Sequence, residues 1–407
     1  MPDRGFSSTI DRRTPAPHPA TGVSSARIAV LDVLRGLAIC GTLGSNVWLF
    51  ANPHGPASLF VGQDATDPAQ HALVTLTNGK LLALLTLLFG IGLELQYRSA
   101  IRRGLRWPGR YLWRAALLFA EGLLHYVLVF EWDVLMPYAV TSILVAYLVG
   151  RSPRVQAAWM VLQGTILVLV VAGLTALLIA TERQATGDDQ PFTLYTHGSW
   201  LEQVRFRLDN IVLFRIEALF IVPLGTVLFL AGIRLFRAGV FARTRAGARL
   251  RRRLVAYGFG LGVPLNIATA LAGPAWYLVD RYLGPPLIAL GLLGAVTSVV
   301  YRLSEPPGWI LRGLASVGRT AMSCYVFQNV AASVLCYGWG LGLAAHLTWG
   351  RPWSVVLLWA GIVSMFVVLA SWWLRRFPRG PLELVWHWAY ELPWRRAAAA
   401  NPASPRA

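Results

Sequence analysis

Apolar residues fill ten long stretches of this chain, and short polar or arginine-rich connections separate them. A helix needs about 20 predominantly apolar residues to cross the ~30 Å hydrocarbon core of a bilayer. The ten stretches have about this length and lie at residues 30–50, 76–97, 111–131, 133–150, 155–180, 211–233, 254–273, 283–301, 320–340 and 353–374. The pattern therefore predicts an all-α, polytopic membrane protein with about ten transmembrane helices.

Composition and charge agree with a membrane protein and set its predicted orientation. The 407 residues are 56% hydrophobic and only 14% charged. Most of the 37 Lys and Arg residues fall in the connections that lie on the same side of the membrane as the amino terminus. Positively charged connections stay cytoplasmic. Both termini are therefore predicted to be cytoplasmic. The same asymmetry accounts for the net charge of +18 without a nucleic-acid partner, because the sequence contains no basic soluble domain.

The predicted organisation has two membrane parts between two polar tails. Residues 28–233 would form a first six-helix bundle and residues 254–394 a four-helix carboxy-terminal part, with a basic cytoplasmic loop at 234–253 between them. Residues 1–27 and 395–407 lack apolar periodicity and are predicted to be disordered cytoplasmic tails. The three cysteines, Cys40, Cys324 and Cys336, all fall in apolar stretches, so neither a disulfide framework nor a metal site is predicted.

The third apolar stretch carries the most informative polar residues. His125 lies inside it, Glu121 precedes by one helical turn on the same face, and Asp133 follows by eight residues across a very short external turn. Ionisable groups at membrane depth are costly unless they are partnered. A neutral imidazole there can take a proton from a hydroxyl or amine while a carboxylate fixes its tautomer. A structural histidine is the alternative interpretation.

Polar residues near the first span form a second candidate group. Asp32 and Arg35 are spaced to share one helical face, where a simple ion pair is as good an explanation as substrate binding. Asn46 lies three turns further along the same span, and His54 lies just outside it. Asn46 and His54 would line the outer end of this helix.

Three more polar residues fall within predicted spans. Arg215 is expected to extend outward to the membrane surface, as long basic side chains do. Glu217 and Gln328 each need a partner inside the bundle, and a shared polar cavity would provide one. The outer connection at 181–210 is either a lid over such a cavity or a solvated connector.

Several motifs, in order along nearly the whole chain, resemble the YeiB-like bacterial membrane family, part of which is described as a domain of unknown function, number 418. They include Leu31-Asp32-Val33-Leu34-Arg35-Gly36, Leu88-Phe89-Gly90-Ile91-Gly92, Gly122-Leu123-Leu124-His125 with Asp133, and Gly318-Arg319-Thr320-Ala321-Met322-Ser323-Cys324-Tyr325-Val326-Phe327-Gln328. The chain departs from the family at Cys324, where Asn is common.

The family is distantly similar to transmembrane acyltransferases of the heparan-glucosaminide acetyltransferase type. Those enzymes share the Asp-x-x-Arg-Gly start and an Asn later in the first span, and a histidine after that Asn carries catalysis. Here His54 follows Asn46 by eight residues, which is a different spacing. His125 matches the YeiB-like pattern itself, so it is the favoured histidine, with His54 as the alternative.

The resemblance implies a membrane acyltransferase that moves an acyl group from a cytosolic thioester to a hydroxyl or amine of an envelope, glycan or secondary-metabolite acceptor. His125 would be the general base or a transient acyl carrier, oriented by Asp133, and Asn46 would stabilise oxyanion charge. Acyl-CoA would be a co-substrate rather than a bound cofactor, with Arg35 near its phosphates. The predicted substrate-binding residues are Arg35, Asp32, Glu121, Glu217, Gln328 and His54.

Two other functions stay open at this point. In a proton-coupled transporter or exporter, Glu121, Glu217 and His125 would relay protons. In a non-catalytic membrane scaffold, the polar residues would scatter into separate local contacts. Acyl transfer requires a continuous path from Arg35 to His125, because the donor is cytosolic and His125 is predicted in the outer half of a bacterial cytoplasmic membrane.

Overall fold

The computed structural model describes residues 22–57, 67–181, 193–303, 308–347 and 350–400. Throughout these ranges the regular structure is helical, with no β-strand. The predicted all-α fold is confirmed.

Ten helices lie in the described ranges up to residue 237. They are α1 (Gly22–Phe50), α2 (Pro68–Thr77), α3 (Lys80–Arg102), α4 (Arg110–Leu128), α5 (Leu135–Leu148), α6 (Pro153–Thr181), α7 (Leu194–His197), α8 (Trp200–Asp209), α9 (Ile211–Arg215) and α10 (Ala218–Arg237). Eight more follow: α11 (Arg245–Leu271), α12 (Tyr277–Tyr282), α13 (Gly284–Arg302), α14 (Trp309–Arg319), α15 (Ala321–Cys336), α16 (Leu343–His346), α17 (Trp353–Trp373) and α18 (Pro381–Ala400). Short 3-10 turns occur at Gly55–Ala57 and Pro274–Trp276.

The chain is a polytopic membrane protein. Within the described residues, seven helical stretches are long and apolar enough to cross a bilayer. They contain α1, α2 with α3, α6, α9 with α10, α11, α12 with α13, and α17. The three remaining predicted spans correspond to α5 and α15, which are apolar but have only 14 and 16 residues, and to α4, which carries the charged residues of the site.

Helices extend further at three places than the sequence pattern predicts. The predicted tail at 1–27 lies outside the described residues up to 21, and its last residues belong to α1. The predicted tail at 395–407 is helical through Ala400, and the rest lies outside the description. The predicted basic loop at 234–253 was wrong for most of its length: α10 runs to Arg237 and α11 begins at Arg245. Arginine favours helix about as well as leucine does, so a basic run does not by itself end a helix.

Close packing of α1 against helices from the second half of the chain builds one shared core. α1 contacts α3, α14, α15 and α17, and buried residues from both predicted parts join one apolar cluster. A side chain at Gly36 would overlap the Leu314 carbonyl, and one at Gly318 would overlap the Asp32 carbonyl. These two glycines therefore allow α1 and α14 to approach closely, which brings the second half of the chain against α1.

Candidate functional site

The turn between α4 and α5 places a buried carboxylate against α4. Asp133 Oδ2 accepts hydrogen bonds from the backbone N–H groups of Leu135 (2.9 Å) and Met136 (3.3 Å), which satisfies donors at the start of α5. The facing residue on α4 is Gly122, where a Cβ atom would lie 2.9 Å from the same oxygen. The hairpin therefore closes tightly because α4 has no side chain at this contact.

Closure of this hairpin brings His125 and Asp133 into direct contact. His125 Nδ1 lies 2.9 Å from Asp133 Oδ1, and the two residues are only 3% and 2% exposed. Tyr325 on α15 donates its hydroxyl to the same oxygen at 3.3 Å. Because a carboxylate only accepts hydrogen bonds, Nδ1 carries the proton and Nε2 is the hydrogen-bond acceptor of the ring. We name these two residues the His–Asp pair.

A buried amide connects the His–Asp pair to the first span. Asn329 on α15 donates from Nδ2 to His125 Nε2 at 3.3 Å, and Asn46 on α1 donates to Asn329 Oδ1 at 3.4 Å. In the described ranges, Asn46 is thus linked to the imidazole through Asn329 rather than by direct contact. Asn329 is not among the predicted site residues, because nothing local to α15 shows which helix it faces.

The outer side of the hairpin is covered by residues of the predicted outer loop. Arg207 on α8 donates to Glu131 Oε1 at 2.7 Å, and Tyr195 donates to the same oxygen at 2.8 Å. The Arg207 guanidinium also donates to the carbonyl groups of Val127 (3.0 Å) and Val129 (3.3 Å). Although burial lowers the pKa of Arg207, the neighbouring Glu131 carboxylate raises it above its ordinary value. The described part of the loop, from residue 193, packs as a cover, and residues 182–192 lie outside the description.

Arg215 strengthens this cover, and its predicted outward extension was wrong. Its guanidinium donates to the backbone carbonyls of Glu131 and Asp133, the latter at 3.2 Å. Its central carbon lies 4.0 Å from the centroid of the Tyr126 ring. The α4–α5 turn exposes carbonyl groups that no helix satisfies, and these attract the cation inward.

On the opposite side of the His–Asp pair, the polar residues are less completely paired. Arg35 donates to Asp32 at 3.2 Å, which is the predicted intrahelical ion pair, and the Arg35 side chain is 32% exposed. Both carboxylate oxygens of Glu121 are buried and have no hydrogen-bond partner among the described residues. Glu121 interacts electrostatically with Asp133, Glu383 and Arg114.

Three further predicted site residues make their contacts away from the His–Asp pair. Glu217 accepts hydrogen bonds from Arg281 and Tyr282, both at 2.9 Å, so a different cluster compensates its charge. Gln328 donates to the Ile39 carbonyl at 3.3 Å and serves the contact between α15 and α1. His54 lies in the connection after α1, with its backbone N–H bonded to Asn52. The predicted shared cavity for Glu217 and Gln328 was therefore wrong.

An apolar cavity of about 180 Å³ opens between α15 and α17. Its lining residues are Thr320, Ser323, Cys324, Phe327, Phe366, Leu369, Ala370, Trp372, Trp373 and Pro381. The cavity borders the site through Ser323, whose hydroxyl and backbone N–H both donate to Glu383. Arg35 and His125 do not line it, so this cavity is not the predicted path between them.

Comparison with known proteins agrees with the motifs that the sequence carries. Residues 235–392 match a family described as "Protein of unknown function (DUF418)". The chain is also similar to Uncharacterized protein YxaH of Bacillus subtilis (strain 168), with 24% identity over 92% of this chain and 97% of the relative. Uncharacterized protein YeiB of Escherichia coli (strain K12) is 28% identical over 88% of this chain and 95% of its own length. No solved structure matches the chain.

The resemblance to YeiB and to DUF418 proteins is thus confirmed. The region that matches DUF418 contains some residues of the site and excludes others. Tyr325, Asn329 and Glu383 lie within the DUF418 match, whereas His125 and Asp133 lie before it. The hydrogen bonds to the His–Asp pair from α15 therefore join the matched region to the part of the chain that precedes it.

Proposed function

We propose that this protein is an integral membrane acyltransferase of a bacterial cytoplasmic membrane. It would move an acyl group from a cytosolic thioester donor, such as acyl-CoA, to a hydroxyl or amine of an acceptor. The observation that carries this proposal is the 2.9 Å contact between His125 Nδ1 and Asp133 Oδ1. This contact orients an imidazole whose Nε2 can accept a proton. Both curated relatives come from bacteria, which supports the proposed location.

The neighbouring amides suit the second requirement of acyl transfer, which is stabilisation of oxyanion charge. In the resting protein the Asn329 amide donates to His125 Nε2. When an acceptor hydroxyl or amine takes that position on the imidazole, the amide becomes free to donate to the thioester oxygen. Asn46 bonds to the Asn329 carbonyl and holds that amide in orientation. Asn329 therefore takes the role that the sequence pattern assigned to Asn46, and Asn46 becomes a positioning residue.

The arrangement around the pair favours entry of the donor from the cytoplasmic side. Arg207, Tyr195 and Arg215 cover the outer turn through buried contacts to Glu131 and its neighbours. On the other side, Arg35 is partly exposed and can meet the donor phosphates. Catalysis requires a local opening between Arg35 and the imidazole that admits the acyl arm.

A proton-coupled transporter is the second candidate because Glu121 and His125 lie one helical turn apart on α4. Glu217 has no part in such a relay, since Arg281 compensates its charge at 2.9 Å. A scaffold would need only separate local contacts, such as those of Glu217 and Gln328. The linked bonds from Asn46 through Asn329 to His125 favour a site instead.

The experiment that tests this proposal supplies labelled acyl-CoA to everted membrane vesicles, which expose the cytoplasmic face. We expect label to enter an extractable acceptor with the native chain and with the control His346→Gln, because His346 is exposed. His125→Gln should lower the transfer rate by about 10²–10⁴-fold, the range for loss of a general base. Equal transfer by His125→Gln, or no transfer by the native chain, would contradict the proposal.

A further inference from the structure

The Glu121 carboxyl is a buried ionisable group that the proposed acyl transfer does not use. Both of its oxygens are buried, and neither has a hydrogen-bond partner in the described residues. It lies one turn, about 6 Å along α4, from His125 on the cytoplasmic side. Taking an ionised carboxylate out of water without a partner is strongly unfavourable, and binding a proton removes that penalty.

The charges that face Glu121 also favour a bound proton. Asp133 from the α4–α5 turn and Glu383 from α18 are acidic, and the cation that acts on this carboxyl from the described part of the chain is Arg114 on α4. Arg114 itself is held over the Trp386 ring, with 4.4 Å from its guanidinium carbon to the ring centroid. With a neutral imidazole at His125, ionised Glu121 would leave three carboxylates and one guanidinium in this region.

We propose that Glu121 carries a proton in the resting protein and exchanges it between the His–Asp pair and the cytoplasmic ends of α1 and α18. The way out passes Arg114, which interacts electrostatically with both Glu121 and Arg35. Arg35 belongs to α1 and is partly exposed. Glu121 therefore accepts and releases protons and does not touch the reacting carbonyl.

This proton exchange rests on the proposed acyl transfer. It is needed when the acceptor is a protonated amine. A thioester and an ammonium group give an amide, a thiol and one proton: the C–S bond breaks, a C–N bond forms, and the thiolate keeps one proton. The remaining proton passes from His125 to Glu121 after Glu121 has released its own proton to the cytoplasm. A hydroxyl acceptor releases no net proton, so its transfer does not need Glu121.

Infrared difference spectroscopy of the full chain in lipid nanodiscs, with the pH stepped, tests the bound proton without any donor or acceptor. We expect the native chain to show a protonated-carboxyl absorption near neutral pH that Glu121→Gln abolishes and the exposed control Glu202→Gln retains. In Asp133→Asn, loss of a neighbouring negative charge should lower the ionisation midpoint by about 1–2 pH units. A spectrum of Glu121→Gln that matches the native one, or an unmoved midpoint, overturns the proposal.

A second variant keeps this test decisive if Glu121→Gln does not fold. Glu121→Asp retains a carboxyl group in a shifted position, so its absorption should move in frequency. An unmoved absorption assigns the proton to another group and overturns the proposal. Because the spectra need no acyl-CoA, they can fail while His125-dependent transfer succeeds, and the reverse is equally distinguishable.

Discussion

Replacement of Arg207 by methionine should destabilise the protein strongly. The side chains of Arg207 and Glu131 are 1% and 0% exposed, and Arg207 supplies three hydrogen bonds to Glu131, Val127 and Val129. Arg207→Met leaves the Glu131 carboxylate with Tyr195 as its hydrogen-bond donor. Breaking a buried ion pair by removing one partner costs about 3–5 kcal/mol.

This free energy converts into a measurable shift in the unfolding midpoint. The unfolding entropy is about 2.1 cal/mol/K per residue, so for a chain of this length each kcal/mol of lost stability lowers the midpoint temperature by about 1.2 °C. Arg207→Met should therefore unfold roughly 4–6 °C below the native chain in a thermal melt of the detergent-solubilised protein. Arg205→Met is the matched control, because Arg205 is exposed on the same helix.

Two results would refute this reasoning. The first is an Arg207→Met midpoint equal to that of Arg205→Met. The second concerns the double variant Glu131→Met with Arg207→Met, which buries no unpaired charge and should be more stable than Arg207→Met alone. If the double variant is the less stable of the two, the unpaired Glu131 carboxylate is not the origin of the loss.

Further predictions concern the hairpin, the buried amide and the outer cover. Gly122→Ala should lower the free energy of unfolding by about 1–3 kcal/mol, because the added Cβ atom would lie against the Asp133 carboxylate. In a thermal melt, the control Gly361→Ala should leave the midpoint unchanged, because there is open space around Gly361. Asn329→Ala should lower labelled-acyl transfer by about 10²–10³-fold through loss of oxyanion stabilisation, and unchanged transfer would remove that role. The backbone N–H and the side chain of Ser199 lower the pKa of Glu202. Protection of α8 amides against hydrogen exchange, measured relative to the intrinsic rate at each pH, should therefore fall as the pH drops through and below about 4.5. Ser199→Ala should weaken this pH dependence without abolishing it, because the backbone N–H remains.

The membrane fold follows from the sequence because apolar stretches of bilayer length permit few other structures. Apolar pattern and charge asymmetry are local properties, so they predict the spans and their order. The helix ends were harder to predict from the sequence. The basic run before Arg245 contains good helix formers, and the structure shows where α10 stops and α11 starts.

The site was predictable where its residues are close in sequence. His125 and Asp133 are eight residues apart, and a short turn must bring them near each other. Asn329 and Arg207 could not be predicted as partners, because their positions depend on how α15 and α8 pack on the hairpin. Glu217 was placed in the site wrongly. The sequence shows that a carboxylate at membrane depth needs a partner, but it does not show that the partner is Arg281, which lies 64 positions away.

The most direct test of the central claim compares acyl transfer by His125→Gln, Asp133→Asn and the double variant. If the aspartate acts through the histidine, each single change lowers the transfer rate, and the double variant is no slower than His125→Gln alone. Losses that multiply in the double variant, or native transfer rates in either single variant, would contradict the claim that the two residues form one catalytic unit.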